Sequence, residues 1–252
     1  MNIVSIPNPS RTRQADSAPH CATCRAAQVC IPARVGVDDL LAHLPTRRIR
    51  VSRDSHLFQA GAVVGDLFYA VHYGTIKYTL PSASGQPKIS AFLMSGDLLG
   101  LDSIGHPQHN GSAVALENSE VCEIRCSDLR PSITLFHGIL SKQIAHEQCA
   151  AHQLRNSGAG QRLAAFLLDL SWRYGQRGYS SQRFRLIMPR QDIANFLALT
   201  PECLSRALAQ LRSAGLLEID DREVTLLDAR ALRQLAMGTG MLQGRAGARA
   251  AP

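Results

Sequence analysis

No apolar run opens this chain. Residues 1–20 are polar and basic and contain Pro7, Pro9 and Pro19, so they lack the apolar core of a secretory leader and read as disordered. Nowhere do apolar residues continue for the roughly 18 positions that a membrane-spanning helix needs. Both absences lead to the expectation of a cytoplasmic protein. Lysine is missing from residues 155–252, where all 14 basic residues are arginine against 8 acidic ones, while residues 1–154 carry 13 basic against 12 acidic. The back of the chain is thus a basic module on a near-neutral front, and arginine suits phosphate and guanine better than lysine does. No βαβ pattern surrounds the cysteines, which argues against a dithiol enzyme.

Sulfur is concentrated at one place. Three of the seven cysteines lie in C-A-T-C-R-A-A-Q-V-C, Cys21 to Cys30, with the spacing C-x2-C-x5-C. A C-x2-C turn lets two thiolates converge on one metal centre, and a third five residues on closes most of a coordination sphere. In a cytosolic chain such a cluster points to metal binding or thiol redox chemistry rather than to structural disulfides. A closed four-thiolate site needs one more ligand. The remaining candidates are Cys122, Cys126, Cys149 and Cys203, and spacing does not choose among them.

With 252 residues and 45% apolar content, the chain can form one large domain or two ordinary ones. Val37 to Leu44 reads as a short helix stopped by Pro45. From Ile49 to Ile124, frequent glycines separate pieces such as L-F-Y-A-V and T-I-K-Y-T-L. That pattern predicts many short strands closed into a small β-barrel or jelly roll. Pro131 opens a helical segment running to about Leu154. Within it Leu140, Ile144, Glu147, Ala151 and Leu154 form a heptad seam, the pattern of a helix packed on its own copy. Glu147 is the acid on that seam; its alternative is a solvated rim position. Gly158 and Gly160 suggest a hinge. Leu163, Phe166, Leu167 and Leu170 share one helix face, ending near Gly175, and Phe184, Leu186 and Met188 alternate as a short strand.

The segment R-Q-D-I-A-N-F-L-A-L, then Thr200, then P-E-C-L-S-R-A-L-A-Q-L-R-S-A-G reads as a helix-turn-helix. Thr200 is the N-cap, Pro201 the first helical residue and Gly215 the stop. Leu216 to Ile219 and Val224 to Leu227, joined by D-D-R-E, predict a wing. The tail beyond Met237 is rich in Gly, Ala and Arg and reads as disordered.

Taken together, these parts resemble the Crp/FNR superfamily of bacterial transcription regulators, and within it the oxygen-sensing FNR branch. The resemblance covers residues 21–236. It rests on the cluster ending Cys30-Ile31-Pro32, on G-D-L-L-G at 96–100, V-C-E-I at 121–124, R-L-A-A-F at 162–166 and E-x-x-S-R at 202–206. It implies an α+β chain: a disordered N-terminus (1–20), a cysteine cluster and jelly-roll β-barrel sensor domain (21–128), a long dimerisation helix (129–157), a winged helix-turn-helix DNA-binding domain (158–236) and a disordered tail (237–252).

The resemblance also implies a [4Fe–4S] cluster held by Cys21, Cys24, Cys30 and Cys122 under anaerobic conditions. Cys122 is named only by its place in V-C-E-I, and Cys126 is the one plausible substitute. Val29 should shield the cluster. At the position of Glu147 the family carries an aspartate whose repulsion keeps cluster-free protein monomeric, so Ile144, Glu147 and Ala151 form the implied dimer switch. Glu202, Ser205 and Arg206, at i, i+3 and i+4, match the family's three base-reading residues. Arg pairs bidentately with guanine and Glu accepts from the cytosine amino group, and similar proteins read an inverted repeat with TTGAT half-sites. RNA polymerase is the implied protein partner, met through barrel loops around Ser82 to Pro87. Cys149 reads as structural, and Cys203, in the first turn of the recognition helix, is open to a regulatory role.

Three rivals remain. A cyclic-nucleotide sensor of the same fold would carry an acid after the G-x-x-G turn and an Arg-Ser pair later. Here Leu101 follows Gly100, and Gly111-Ser112 stands where Arg-Ser is expected. A zinc- or thiol-based redox-sensing regulator would use the same cysteines. A dithiol enzyme would need the βαβ context that is absent.

Overall fold

The computed structural model describes residues 21, 24–30, 45–83, 85–101, 105–127, 137–138, 141 and 158–239. The short helix expected over residues 37–44 and the seam residues Leu140, Ile144, Glu147, Ala151 and Leu154 lie outside the described residues, as do both termini. His137, Gly138 and Ser141 are helical.

Eight strands build the front of the chain: β1 (Pro45–Val51), β2 (His56–Phe58), β3 (Leu67–Tyr73), β4 (Thr75–Leu80), β5 (Lys88–Met94), β6 (Leu98–Leu99), β7 (Ser112–Ala115) and β8 (Ser119–Arg125). They pair antiparallel in two four-stranded sheets, ordered β1-β8-β3-β6 and β2-β7-β4-β5. This is the jelly roll that the strand pattern predicted. The sheets enclose Val51, Phe58, Val71, Ile76, Leu93, Leu99, Ala113, Ala115 and Val121. Side chains alternate across a strand, so Cys122 and Ile124 of β8 point out of this core and join Phe68, Ala70 and Leu98 in a second apolar cluster.

The back of the chain folds as α1 (Ala159–Gln176), β9 (Arg183–Arg185), α2 (Arg190–Phe196), α3 (Pro201–Ser213), β10 (Leu217–Asp220), β11 (Glu223–Leu226) and α4 (Ala229–Ala236). Gly158 is the N-cap of α1, with its N–H donating to Gln161 Oε1 at 2.6 Å. Gly160 lies inside the first turn, so the helix begins between the two glycines expected to mark a hinge. Thr200 caps α3 by accepting from the Cys203 N–H at 3.2 Å, and Pro201 follows at the first helical position. Gly215, with φ +69°, takes the left-handed conformation after the helix stops. The wing strands each begin or end one residue from the predicted bounds and pair Leu217 with Leu226. Sequence reading missed α4, whose Asp228 caps Arg230 and Ala231 and whose Leu232 and Leu235 are buried; the signal present was an Asp N-cap before Leu232 and Leu235 at helical spacing.

The two parts share a core. Ile89, Phe92, Met94 and Leu116 of the barrel side pack into the same buried cluster as Leu163, Phe166, Leu167 and Ile193. Phe92, Phe166 and Phe196 form a ring trio with centroids 5.2–6.2 Å apart. Lys77 Nζ donates to Asp192 at 2.8 Å, and Asn195 Oδ1 accepts from the Ile89 N–H at 2.8 Å.

Candidate functional site

The cysteine segment lies on the outward face of β8 and β3. Residues 24–30 form a tight turn tied by backbone hydrogen bonds, including Cys30 N to Ala26 O at 2.7 Å. Cys30 packs against the apolar cluster that contains Cys122, and so does Cys126. Cys21 and Cys24 stand close enough to Cys122 for their charges to raise its pKa. The fold therefore brings residues separated by about a hundred positions onto one surface. The six described cysteines are all free thiols.

The polar border of this face was not foreseen from the sequence. Arg48 of β1 is the register partner of Cys122, and its guanidinium charge pulls the Cys122 pKa down against burial. Its Nε is buried without a hydrogen-bond partner, 3.7 Å from Glu120 Oε1. His72 of β3 places Nδ1 3.4 Å from Cys24 Sγ and Nε2 3.8 Å from Glu120 Oε1. Alternation from Cys122 would have found Glu120; Arg48 and His72 depend on strand register, which no single stretch encodes.

Burial favours the neutral thiol at Cys122 and Cys21. Burial pushes Cys122 up to about 11, only partly opposed by Arg48, and burial together with Cys24 raises Cys21. Burial also lowers His72, as Arg48 does, against the pull of Glu120. Buried thiols become good ligands only when a metal displaces the proton. Among the described residues, no three His, Cys, Asp or Glu side chains stand close enough to hold one metal ion. A single zinc would need its sulfurs within about 4 Å of one another. A cluster that binds each thiolate at a different iron tolerates wider spacing, so four soft sulfurs over an apolar, arginine-bordered face fit such a cluster in donor chemistry.

Cys126, packed against the same apolar cluster as Cys30, also faces a pocket. It lines a cavity of about 230 Å³ with Val64, Asp66, Leu67 and His106. Burial and Asp66 push its thiol up to about 11. Val29 is half-buried and rests on Gly96, where a Cβ would stand 2.8 Å from Val29 Cγ2.

The barrel interior is filled. Phe58 stacks on His109 with centroids 3.8 Å apart, and Tyr69 and Tyr78 pack beside Phe58. At Gly111 a Cβ would stand 2.5 Å from Tyr78 Cζ. The neighbouring Ser112 hydroxyl accepts from the Ala60 N–H at 2.9 Å. The position expected of a ribose-phosphate anchor is thus occupied by an aromatic ring and a backbone contact.

On the other side of the molecule, α3 buries Leu204, Ala207, Leu208 and Leu211 and exposes Glu202, Ser205 and Arg206. The three predicted base readers therefore share one solvent-facing stripe. The backbone at the helix start, and then the Thr200 hydroxyl, hold the Glu202 carboxyl below the usual carboxylate range, with help from Arg206. Glu202 is thus an acceptor throughout the neutral range. The helix-turn-helix corner is braced from α1, since Arg162 Nη1 donates to Leu197 O at 2.7 Å and to Ala198 O at 3.2 Å. Ala198 has φ +52°, a strained value for a residue with a side chain. Cys203 is half-buried on the first turn of this helix.

A jelly roll coupled to a winged helix-turn-helix with an exposed arginine-bearing recognition helix defines a DNA-binding transcription regulator, not an enzyme. The chain belongs to the Crp/FNR family of such regulators. Its residues 161–235 match the Crp-like helix-turn-helix domain and residues 48–133 match the cyclic nucleotide-binding domain. It is 38% identical over 227 residues to the transcriptional regulatory protein btr of Bordetella pertussis, covering 86% of this chain and 93% of that one. It is 36% identical over 246 residues to the fumarate and nitrate reduction regulatory protein of Vibrio cholerae, covering 93% and 97%. Among solved structures, FixK2 from Bradyrhizobium japonicum superposes with a TM-score of 0.67 at 26% identity, covering 75% of this chain and 96% of that one. Regulators of this family bind DNA as dimers. No helix among the described residues is long and apolar enough to cross a membrane.

Proposed function

We propose that this protein is an oxygen-responsive transcription regulator that uses Cys21, Cys24, Cys30 and Cys122 to hold a [4Fe–4S] cluster when oxygen is absent. The observation that carries the reading is the position of Cys122 on the outward face of β8, under the turn that bears the other three. When bound, the cluster supplies an oxygen-labile link between that turn and the barrel. Arg48 meets the negative charge of the thiolates, and the apolar residues around Cys122 and Val29 exclude solvent. The 129–157 helix then pairs through Ile144, Glu147 and Ala151, with Glu147 weakening the dimer enough for cluster loss to return monomers. Glu202, Ser205 and Arg206 read the bases of an inverted repeat, and barrel loops contact RNA polymerase in the cytoplasm.

The deciding measurement is the iron content and ultraviolet–visible spectrum of anaerobically purified protein. The expected result is brown protein with about four irons per chain, bleached by air together with its DNA binding. Colourless, zinc-containing protein would replace this reading with the zinc or thiol sensor.

A further inference from the structure

The cysteine turn and the DNA-binding helices meet on opposite sides of one short turn, Met94 to Asp97, between β5 and β6. On the cysteine side, the fit at Gly96 is closed. Gly96 has φ +90°, and a Cβ there would stand 2.8 Å from Val29 Cγ2, 2.9 Å from the Val29 carbonyl carbon and 3.0 Å from Cys30 N. The Val29–Cys30 peptide therefore lies directly on the Gly96 backbone. A second contact runs in parallel: Cys24 Sγ meets His72 Nδ1 at 3.4 Å, and the His72 carbonyl accepts from Ser95 Oγ at 2.7 Å.

On the other side, the same turn holds two arginines at the end of α1, Arg173 in its last turn and Arg177 at its C-cap. Arg177 Nη2 donates to Asp97 Oδ1 at 2.8 Å, and Arg173 donates to Asp97 Oδ2. Arg177 Nε also donates to Ser95 O at 2.7 Å, and Arg173 Nη2 to Phe92 O at 2.8 Å. The arginine side chains are only 12% and 7% exposed. Buried cations depend heavily on their partners, so removing Asp97 would leave both guanidinium charges without their carboxylate.

The turn itself is stiff. Asp97 Oδ2 accepts from Met94 N at 2.8 Å, Gly96 N donates to Val71 O at 2.8 Å, and Val71 N donates to Asp97 O at 2.9 Å. A displacement at Gly96 must then move Asp97, because no slack lies between them. Beyond Asp97, α1 packs against α3 and, through Arg162, braces the helix-turn-helix corner.

We propose that Asp97 is a positioning residue that transmits the seating of the cysteine turn on Gly96 to α1, and so sets the orientation of the recognition helix. The route runs within one protomer and does not pass through the dimerisation helix. It rests on the reading of the cysteine turn as the sensory element.

Two measurements test it on the full-length protein. The first is a double-substitution cycle in iron-free protein, read by hydrogen–deuterium exchange over residues 173–177. Val29→Ala thins the contact on the cysteine side without altering the turn, and is expected to raise exchange there about threefold. Asp97→Asn is expected to raise it about tenfold and to abolish the further effect of Val29→Ala. Effects that simply multiply would overturn the proposal. Arg177→Gln should reproduce the loss of coupling, and it replaces Asp97→Asn in the cycle if that variant does not fold.

The second measurement compares DNA affinity of anaerobically iron-loaded and iron-free protein. Asp97→Asn should keep the iron content of the parent but shrink the affinity ratio by about fivefold or more, with Asp97→Glu restoring part of it. An unchanged ratio, with both affinities lowered equally, would show a purely structural role and sink the idea. If the parent takes up no iron, the sensor reading fails, while the exchange cycle still decides whether the turn couples the two sides.

Discussion

The recognition helix keeps its proposed base readers in water, whereas the outer face of the barrel buries Cys122, the proposed fourth ligand. On α3, Glu202, Ser205 and Arg206 are exposed and their neighbours Leu204, Ala207 and Leu208 form the core. DNA can meet that stripe without rearrangement of the helix. On the barrel, Cys122 is buried and its thiol is pushed up to about 11 by that burial. A ligand that demands thiolates must overcome this desolvation, so binding there is coupled to structure. A reader of DNA gains from being preformed; a sensor gains from a site whose unliganded form differs from its liganded one.

The contrast can be broken most forcefully at Cys122. Cys122→Ser is expected to abolish the anaerobic iron–sulfur absorbance and anaerobic promoter activation together, while Cys126→Ser, Cys149→Ser and Cys203→Ser retain both. A cluster lost in Cys126→Ser and kept in Cys122→Ser would move the fourth ligand four residues along the chain. On the DNA side the effect should be graded rather than all-or-none. Arg206→Ala should weaken the specific site by about 1–3 kcal/mol and relax preference at one base pair, seen in binding assays over single-base variants. Equal weakening on every sequence would mark a phosphate contact instead.

Smaller effects sharpen the comparison. Glu147→Ala should strengthen dimerisation of cluster-free protein by about 1 kcal/mol, the scale of two like charges about 4 Å apart in a watery interface. An unchanged monomer–dimer constant in sedimentation would remove Glu147 from the switch. Thr200→Ala removes the cap of the recognition helix and should cost about 1 kcal/mol of stability in denaturant unfolding. Its specificity should stay that of the parent, because Thr200 accepts from Cys203 N and is not one of the three proposed base readers.

Lowering the pH tests Glu202 by sign. Its folded-state pKa is depressed first by the helix-start backbone and then by the Thr200 hydroxyl. The stability it contributes is present above its unfolded pKa and fades as pH falls through the folded value. Glu202→Gln should remove that part of the acid dependence of unfolding.

Local patterns were legible because they are periodic. The helix-turn-helix could be placed from Thr200, Pro201 and Gly215, since capping chemistry acts within four residues. The barrel was legible from its glycine-punctuated strands. The helix α4 was passed over because eight residues give too few turns for a periodic signal to stand out beside an Ala- and Arg-rich tail.

By itself the sequence determined the fold class, the barrel ahead of the helix-turn-helix, and the stripe of Glu202, Ser205 and Arg206, because each follows from spacing along one helix or strand. Spacing could not choose among Cys122, Cys126, Cys149 and Cys203; the motif V-C-E-I was needed to name one. Tertiary structure decided what surrounds that residue. Arg48 reaches Cys122 through the β1–β8 register, and His72 reaches Cys24 through the fold of the cysteine turn over β3. Asp97 lies between Gly96 and two arginines from a helix some eighty residues away. Such neighbours are set by strand pairing and domain packing, which bring together side chains that no local stretch relates.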